Sequence, residues 1–183
     1  MITVLSRPLG VAPPVTDTWP MTQRVALATV MDQLSIDAVI TGYAVAVDDG
    51  AWTDYRALFT ADGRADYRSA GGIEGPVADV AQWLEEATRL FPVRQHLIVN
   101  RRLDLQDLGG YPGDRAEVQA DYMNPMCAER GDPGTAGDEG SVPDFVSGGR
   151  FTFELLRTEP GWRIRAVVVR EKWRRGPDAP AAD

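Results

Sequence analysis

The sequence predicts an α+β domain, and three observations carry that expectation. Apolar residues recur at helical spacing through the first half of the chain. From residue 94 onward the spacing changes to two, the period of a strand. Helices come first and strands follow without alternating, which favours a meandering antiparallel sheet with helices packed on it.

The elements follow in order. Residues 1–21 carry Pro8, Pro13, Pro14 and Pro20 with no periodicity, so a mobile arm is expected there. From Thr22 to Val47 the pattern is helical, with Leu27, Val30, Met31 and Leu34 on one stripe. Ile36, Ile40, Tyr43, Ala44 and Val47 form another stripe, and Ser35 between them predicts a cap, hence two helices meeting at a bend. Asp49-Gly50 stops the pattern. Residues 51–59 then place Trp52, Tyr55 and Phe59 at turn spacing, as a short helix would.

RADYRSA (64–70) reads as a brief strand, followed by a run broken by Gly71, Gly72 and Gly75. Pro76 opens an amphipathic helix to Phe91 whose apolar side is Val80, Trp83, Leu84, Ala87 and Leu90. Residues 93–105, 114–124, 149–159 and 161–173 are four long strands by their alternation. The stretch 128–145, rich in Gly, Pro and Asp, predicts a long loop, disordered or a lid. Residues 174–183 form a tail, leaving 22–173 as a single domain. Trp52, Phe59, Trp83 and Trp162 are expected in its core.

Composition narrows the function. The 183-residue chain is 44% hydrophobic and 25% charged, an ordinary globular balance able to bury a sizeable core. A net charge of −8 disfavours nucleic acid, whose phosphates require a basic surface. No apolar run approaches a membrane span and no convincing signal peptide opens the chain, so a cytoplasmic location without membrane partners is expected. Cys127 is the one cysteine, which excludes an intrachain disulfide and a cysteine-based zinc site. Its place at the end of a strand suits a plain thiol better than a nucleophile. His96 is the one histidine, and no ligand spacing surrounds it, so no metal and no cofactor are expected.

Strand alternation places His96, Ile98 and Asn100 on one face, opposite Leu97, Val99 and Leu103. In the next strand Val118, Ala120, Tyr122 and Asn124 share a face. On the first helical stretch Asp37, Thr41, Ala44 and Asp48 share a stripe, with Tyr43 and Val47 one position round. A histidine and a carboxylate facing an apolar pocket suit proton abstraction beside a carbonyl, since imidazole titrates near neutrality. The plainer alternatives stand beside these: a half-buried strand histidine, an aspartate ending a helix, and structural tyrosines. Asp37 and Asp66 read as solvated or capping residues.

Four stretches, 36–69, 94–100 (RQHLIVN), 116–125 (AEVQADYMNP) and 148–164, resemble the SnoaL-like branch of the NTF2-like superfamily. That group includes polyketide cyclases, ketosteroid isomerase and scytalone dehydratase. The resemblance covers roughly residues 22–173 and implies a cone: N-terminal helices packed in the concave face of a strongly bent, mostly antiparallel sheet. The nearest local similarity is to scytalone dehydratase. It implies catalytic roles for Asp48, Tyr67 (in DYRS, 66–69) and His96 (in the Q-H strand). The helix and strand faces add Tyr43, Tyr122, Asn100 and Asn124 as the expected substrate-binding residues.

The pattern departs in three places. Val47 stands where the dehydratase has a tyrosine, Tyr122 lies near its second histidine, and Phe151 and Thr152 lie nearest its late-strand asparagine. The resemblance therefore implies a dehydratase, cyclase or isomerase acting on a small hydrophobic cyclic carbonyl compound. The alternatives are a non-catalytic binding module and a β-subunit-like partner of a ring-hydroxylating dioxygenase. An epoxide hydrolase is a third reading, weakened because no arginine clearly faces inward. Relatives of this kind imply a homodimer, with a trimer as the other state.

Overall fold

The computed structural model describes residues 21–106, 109–128 and 143–176, with side chains from Leu27 onward. The expected arm, most of the expected 128–145 loop and the end of the tail lie outside the described residues.

The first helical stretch is one helix, α1 (Met21–Asp48), not two. Ser35 does not cap a second helix. Its Oγ donates to the Met31 carbonyl at 2.8 Å, the bond a serine makes back along a helix that continues through it. The second predicted stripe is the working one: Ile36, Ile40, Tyr43, Ala44 and Val47 are buried, with Val39 and Ala46 beside them. The first predicted stripe is exposed, Leu27 and Leu34 at 62% and 60%.

Leu27–Asp48 is in fact long and apolar enough, by length and composition, to cross a membrane, which corrects the sequence expectation. The fold gives it another use. Asp32, within this stretch, is paired with Arg157 and Trp162 of the sheet, and the buried side of the helix closes the core.

After a turn, α2 (Trp52–Ala57) lays Tyr55 into the core. The strand β1 (Phe59–Asp66) ends one residue before Tyr67, which opens a 3-10 turn, Arg68–Ala70, rather than continuing the strand as predicted. The short strand β2 (Glu74–Pro76) leads into α3 (Val77–Thr88). The first predicted long strand is broken into β3 (Val93–Arg94) and β4 (Leu97–Gln106), with His96 in the gap. β5 (Arg115–Cys127), β6 (Phe145–Thr158) and β7 (Gly161–Arg175) complete the chain, the last running past the predicted start of the tail.

Among the described residues these strands form one sheet in the order β2-β1-β7-β6-β5, with β3 and β4 both paired to β5. β1 runs parallel to β7, and the other pairings are antiparallel. The sheet curls into a half-barrel with the helices packed against it, the cone expected from the sequence. Its inner face is written by alternation: Ala116, Val118, Ala120, Tyr122 and Asn124 on β5 are all buried. Phe151, Phe153 and Leu155 on β6 and Ile164, Val167 and Val169 on β7 meet them. Full burial of each large apolar side chain contributes about 1.5–3 kcal/mol, so this face holds the cone shut around α1.

Candidate active site

The open end of the cone holds a cavity of about 460 Å³, within the range of small-molecule sites. Its wall is mostly apolar, from Val47, Leu84, Phe91, Phe145 and Phe151 among others. Trp83 lines it as well and is half-buried, a correction to its assignment as plain core. The indole lies so close to Gly72 that a Cβ there would sit 2.4 Å from it, so the glycine makes room for the ring.

His96 lines this cavity and Asp48 stands behind it. The last residue of α1 accepts two hydrogen bonds from the histidine: its Oδ2 from the backbone N–H at 2.7 Å, and its Oδ1 at 2.5 Å from ring Nδ1. An ionised carboxylate can only accept, so Nδ1 carries the proton and Nε2 is left as the free ring nitrogen. The His96 side chain is 9% exposed and that of Asp48 16%. A carboxylate at a helix C-terminus opposes the helix dipole. The donors from His96 offset that cost, and Arg94 adds to the offset.

Arg94 escaped the sequence reading. Its Nη2 donates to the Asp48 carbonyl at 3.0 Å, and its Nη1 donates to the carbonyls of Phe91 and Thr88 at 2.9 and 3.2 Å. One guanidinium thus ties the ends of α1 and α3 to β3, just before His96. Its spacing, two residues before His96, hints at a shared face, but the helix ends that it serves come together only in the fold.

Tyr67 also lines the cavity, and its hydroxyl meets that of Tyr43. Tyr43 is fully buried behind it and does not reach the cavity wall, so its expected contact with substrate is corrected to a contact with Tyr67. Burial pushes both phenols well above their ordinary range, so both stay protonated. Val47, where the dehydratase pattern has a tyrosine, lines the cavity without a hydroxyl; Tyr43, one turn earlier, brings its own to Tyr67.

Tyr122 and Asn124 line the cavity as well. Burial, then the Glu171 carboxylate, pushes the Tyr122 phenol up to about 12, while a bond to Ser147 works the other way. Glu171 and Arg174, paired at 2.5 Å, complete the polar part of the wall. Arg174 corrects the expectation that no arginine faces inward.

Tyr43 and Asp48 stand directly behind residues of the wall, whereas Asn100 has no part in the site. The pairing of β4 with β5 slips between Val99 and Arg102, and Asn100 takes a left-handed backbone with φ 52°. A bulge adds a residue and reverses the faces beyond it. Asn100 therefore turns outward and donates to Asp121 at 3.3 Å. Arg101 turns toward α1 instead, pairing with Asp37 at 2.9 Å, and Leu103 packs on the core rather than opposite it.

The sequence model of the SnoaL-like domain matches residues 28–168. This chain belongs to the SnoaL-like family. Uncharacterized proteins of Mycobacterium tuberculosis and Mycobacterium bovis are 31% identical over 139 residues, covering 76% of this chain and 84% of theirs. Among solved structures, a Novosphingobium aromaticivorans protein provisionally named a scytalone dehydratase superposes with a TM-score of 0.66. It is 14% identical, over 86% of this chain and 95% of that one. A hexachlorocyclohexane dehydrochlorinase, LinA type 2, superposes with a TM-score of 0.62 at 13% identity, over 86% and 99%. At those identities the likeness is one of fold. The SnoaL-like cone hosts unrelated chemistries, so activity has to be argued from the residues of this cavity.

Proposed function

We propose that this SnoaL-like protein is a cofactor-independent lyase or isomerase acting on a small, cyclic, carbonyl-bearing compound. The observation that carries the reading is the Asp48–His96 pair, held at 2.5 Å against an apolar cavity large enough for a ring system. In this mechanism His96 Nε2 takes a proton from the carbon beside the carbonyl, and the C–H electrons move onto the carbonyl oxygen as an enolate. Tyr67 donates a hydrogen bond to that oxygen, a contribution of about 3 kcal/mol when the donor is already in place. Tyr43, donating to Tyr67, leaves the Tyr67 proton for the ligand.

The enolate then collapses in one of two ways. It expels a hydroxyl from the next carbon, which leaves as water with the proton returned by His96, or it is reprotonated elsewhere, which is isomerisation. Asp48 orients the imidazole and stabilises its charged form; it is a positioning residue, since it stands behind His96 and not in the cavity wall.

The test is proton exchange. With cyclic ketones in deuterated buffer, the wild-type chain is expected to accelerate exchange at the carbon beside the carbonyl, and His96→Ala to abolish that acceleration while retaining ligand binding. Exchange that survives His96→Ala overturns the mechanism.

A further inference from the structure

Besides His96 Nε2, the cavity wall contains a buried polar atom that no other described residue uses. Asn124 is 8% exposed, lines the cavity, and its Oδ1 is buried without a hydrogen-bond partner. A buried acceptor left unpaired is costly, and a native fold retains few of them.

Its position follows from the register. Arg94 pairs with Met126 and Leu97 with Met123, and Gln95 N–H donates to the Pro125 carbonyl, so the intervening His96 faces Asn124. Asn124 in turn faces Ser147, and Ser147 faces Arg174. One row of polar side chains therefore crosses the cavity wall from the Asp48-held histidine to the mouth. The other members have partners: His96 has Asp48, Ser147 has Tyr122, and Arg174 has Glu171. Opposed residues in an antiparallel pairing lie about 4.5–5.5 Å apart at Cα, so a ligand group at Asn124 sits within a bond or two of the atom that faces His96.

We infer that Asn124 selects ligands bearing a hydroxyl on the ring, next to the position that faces His96, and that the protein discriminates against the halogenated counterpart. A hydroxyl donates to Oδ1 and completes the row. A chlorine of similar size cannot donate, and it leaves both the acceptor unpaired and two electron-rich atoms in contact. Sites built to pair with a substrate hydroxyl reject analogues that lack it far more strongly than apolar pockets reject a change of size. This inference rests on the cavity being the substrate site proposed above, but not on His96 being a base.

The experiment measures dissociation constants of the full chain by calorimetry for a matched panel: 1-tetralone, its ring-hydroxylated isomers and the corresponding chloro isomers. For wild type, at least one hydroxyl isomer is expected to bind tenfold or more tightly than its chloro partner. In Asn124→Leu that ratio should collapse to within about threefold, and in Asn124→Asp, which keeps an acceptor of the same size, it should persist. No hydroxyl preference in wild type, no binding of any hydroxylated isomer at millimolar concentration, or a preference unchanged in Asn124→Leu overturns the inference. If Asn124→Leu does not fold, loss of the preference in Asn124→Asp overturns it as well. A preference that persists in His96→Ala while no ketone undergoes exchange in wild type refutes the catalytic reading and leaves this one standing.

Discussion

Asp48 holds His96 at two atoms, backbone N and ring Nδ1, from the last residue of the helix that fills the cone. The paired contacts fix both where the strand enters the site and how the ring is turned. A single contact to Nδ1 would leave the strand free to slide. β3 and β4 are separated at His96, and the carboxylate takes the backbone N–H of that residue.

Asp48→Asn is therefore expected to separate binding from turnover. The amide preserves shape but removes the charge that stabilises the imidazolium, and it can leave the ring in the wrong tautomer. A fall of about 10²–10⁴ in kcat with ligand affinity kept within about threefold is expected. Steady-state kinetics and calorimetry on the same preparation check it. An unchanged kcat would mean that His96 works without its carboxylate.

The Tyr43–Tyr67 pair predicts a graded response. Tyr67→Phe removes the donor in the cavity wall and should lower kcat by about 10²–10³. Tyr43→Phe touches no ligand, so its cost is the lost orientation of Tyr67, about tenfold, with KM unchanged. If Tyr43→Phe costs as much as Tyr67→Phe, the buried tyrosine is doing more than positioning its neighbour.

Alkaline titration tests the burial of the phenols. Tyr43, Tyr55 and Tyr67 are held well above the usual tyrosine range by burial, and Tyr122 is pushed up to about 12. A folded pKa above the unfolded value stabilises the fold fully below about pH 10, and that stabilisation is lost as pH rises through the folded value. Phenolate absorbance from these four tyrosines should thus be missing near pH 10. That of the three most buried should appear only together with loss of the helical circular dichroism. Ionisation of all four near pH 10 in a folded chain would contradict the packed interior.

Much of the site was legible because its residues obey simple periods. His96, Tyr122 and Asn124 fall on the inner face by strand alternation, and Asp48 by helical spacing, and all four meet at one end of the cone. Asn100 was misplaced because a bulge has no reliable mark in the sequence, and one extra residue reverses every face after it. The bend at Ser35 failed for a different reason: a serine caps a helix or bonds back into one depending on whether packing continues beyond it, and Ile36 to Val47 continue the packing. Arg94 was missed because an arginine in a strand reads as solvent-facing until helix ends needing donors are placed beside it.

The end of the cone opposite the cavity offers a prediction about stability alone. Arg157 on β6 stacks over the Trp162 ring at 4.7 Å and donates to Asp32 of α1 at 2.5 Å and to Asp114 at 3.3 Å. Trp162 Nε1 donates to the other oxygen of Asp32 at 3.1 Å. Asp32 is thus the one point where α1 is tied by charge to the β6–β7 hairpin among the described hydrogen bonds and ion pairs, and it is 7% exposed. Replacing it with alanine leaves a largely buried guanidinium with one carboxylate fewer and an indole N–H unpaired. That change should cost about 3 kcal/mol in urea unfolding. Asp32→Asn keeps an acceptor for the indole and should cost less. Because the cluster shares no residue with the cavity wall, ligand affinity below the unfolding transition should be unaltered in both variants. Weakened ligand binding by folded Asp32→Ala would show that the anchoring of α1 at Arg157 reaches the Asp48 end of the helix.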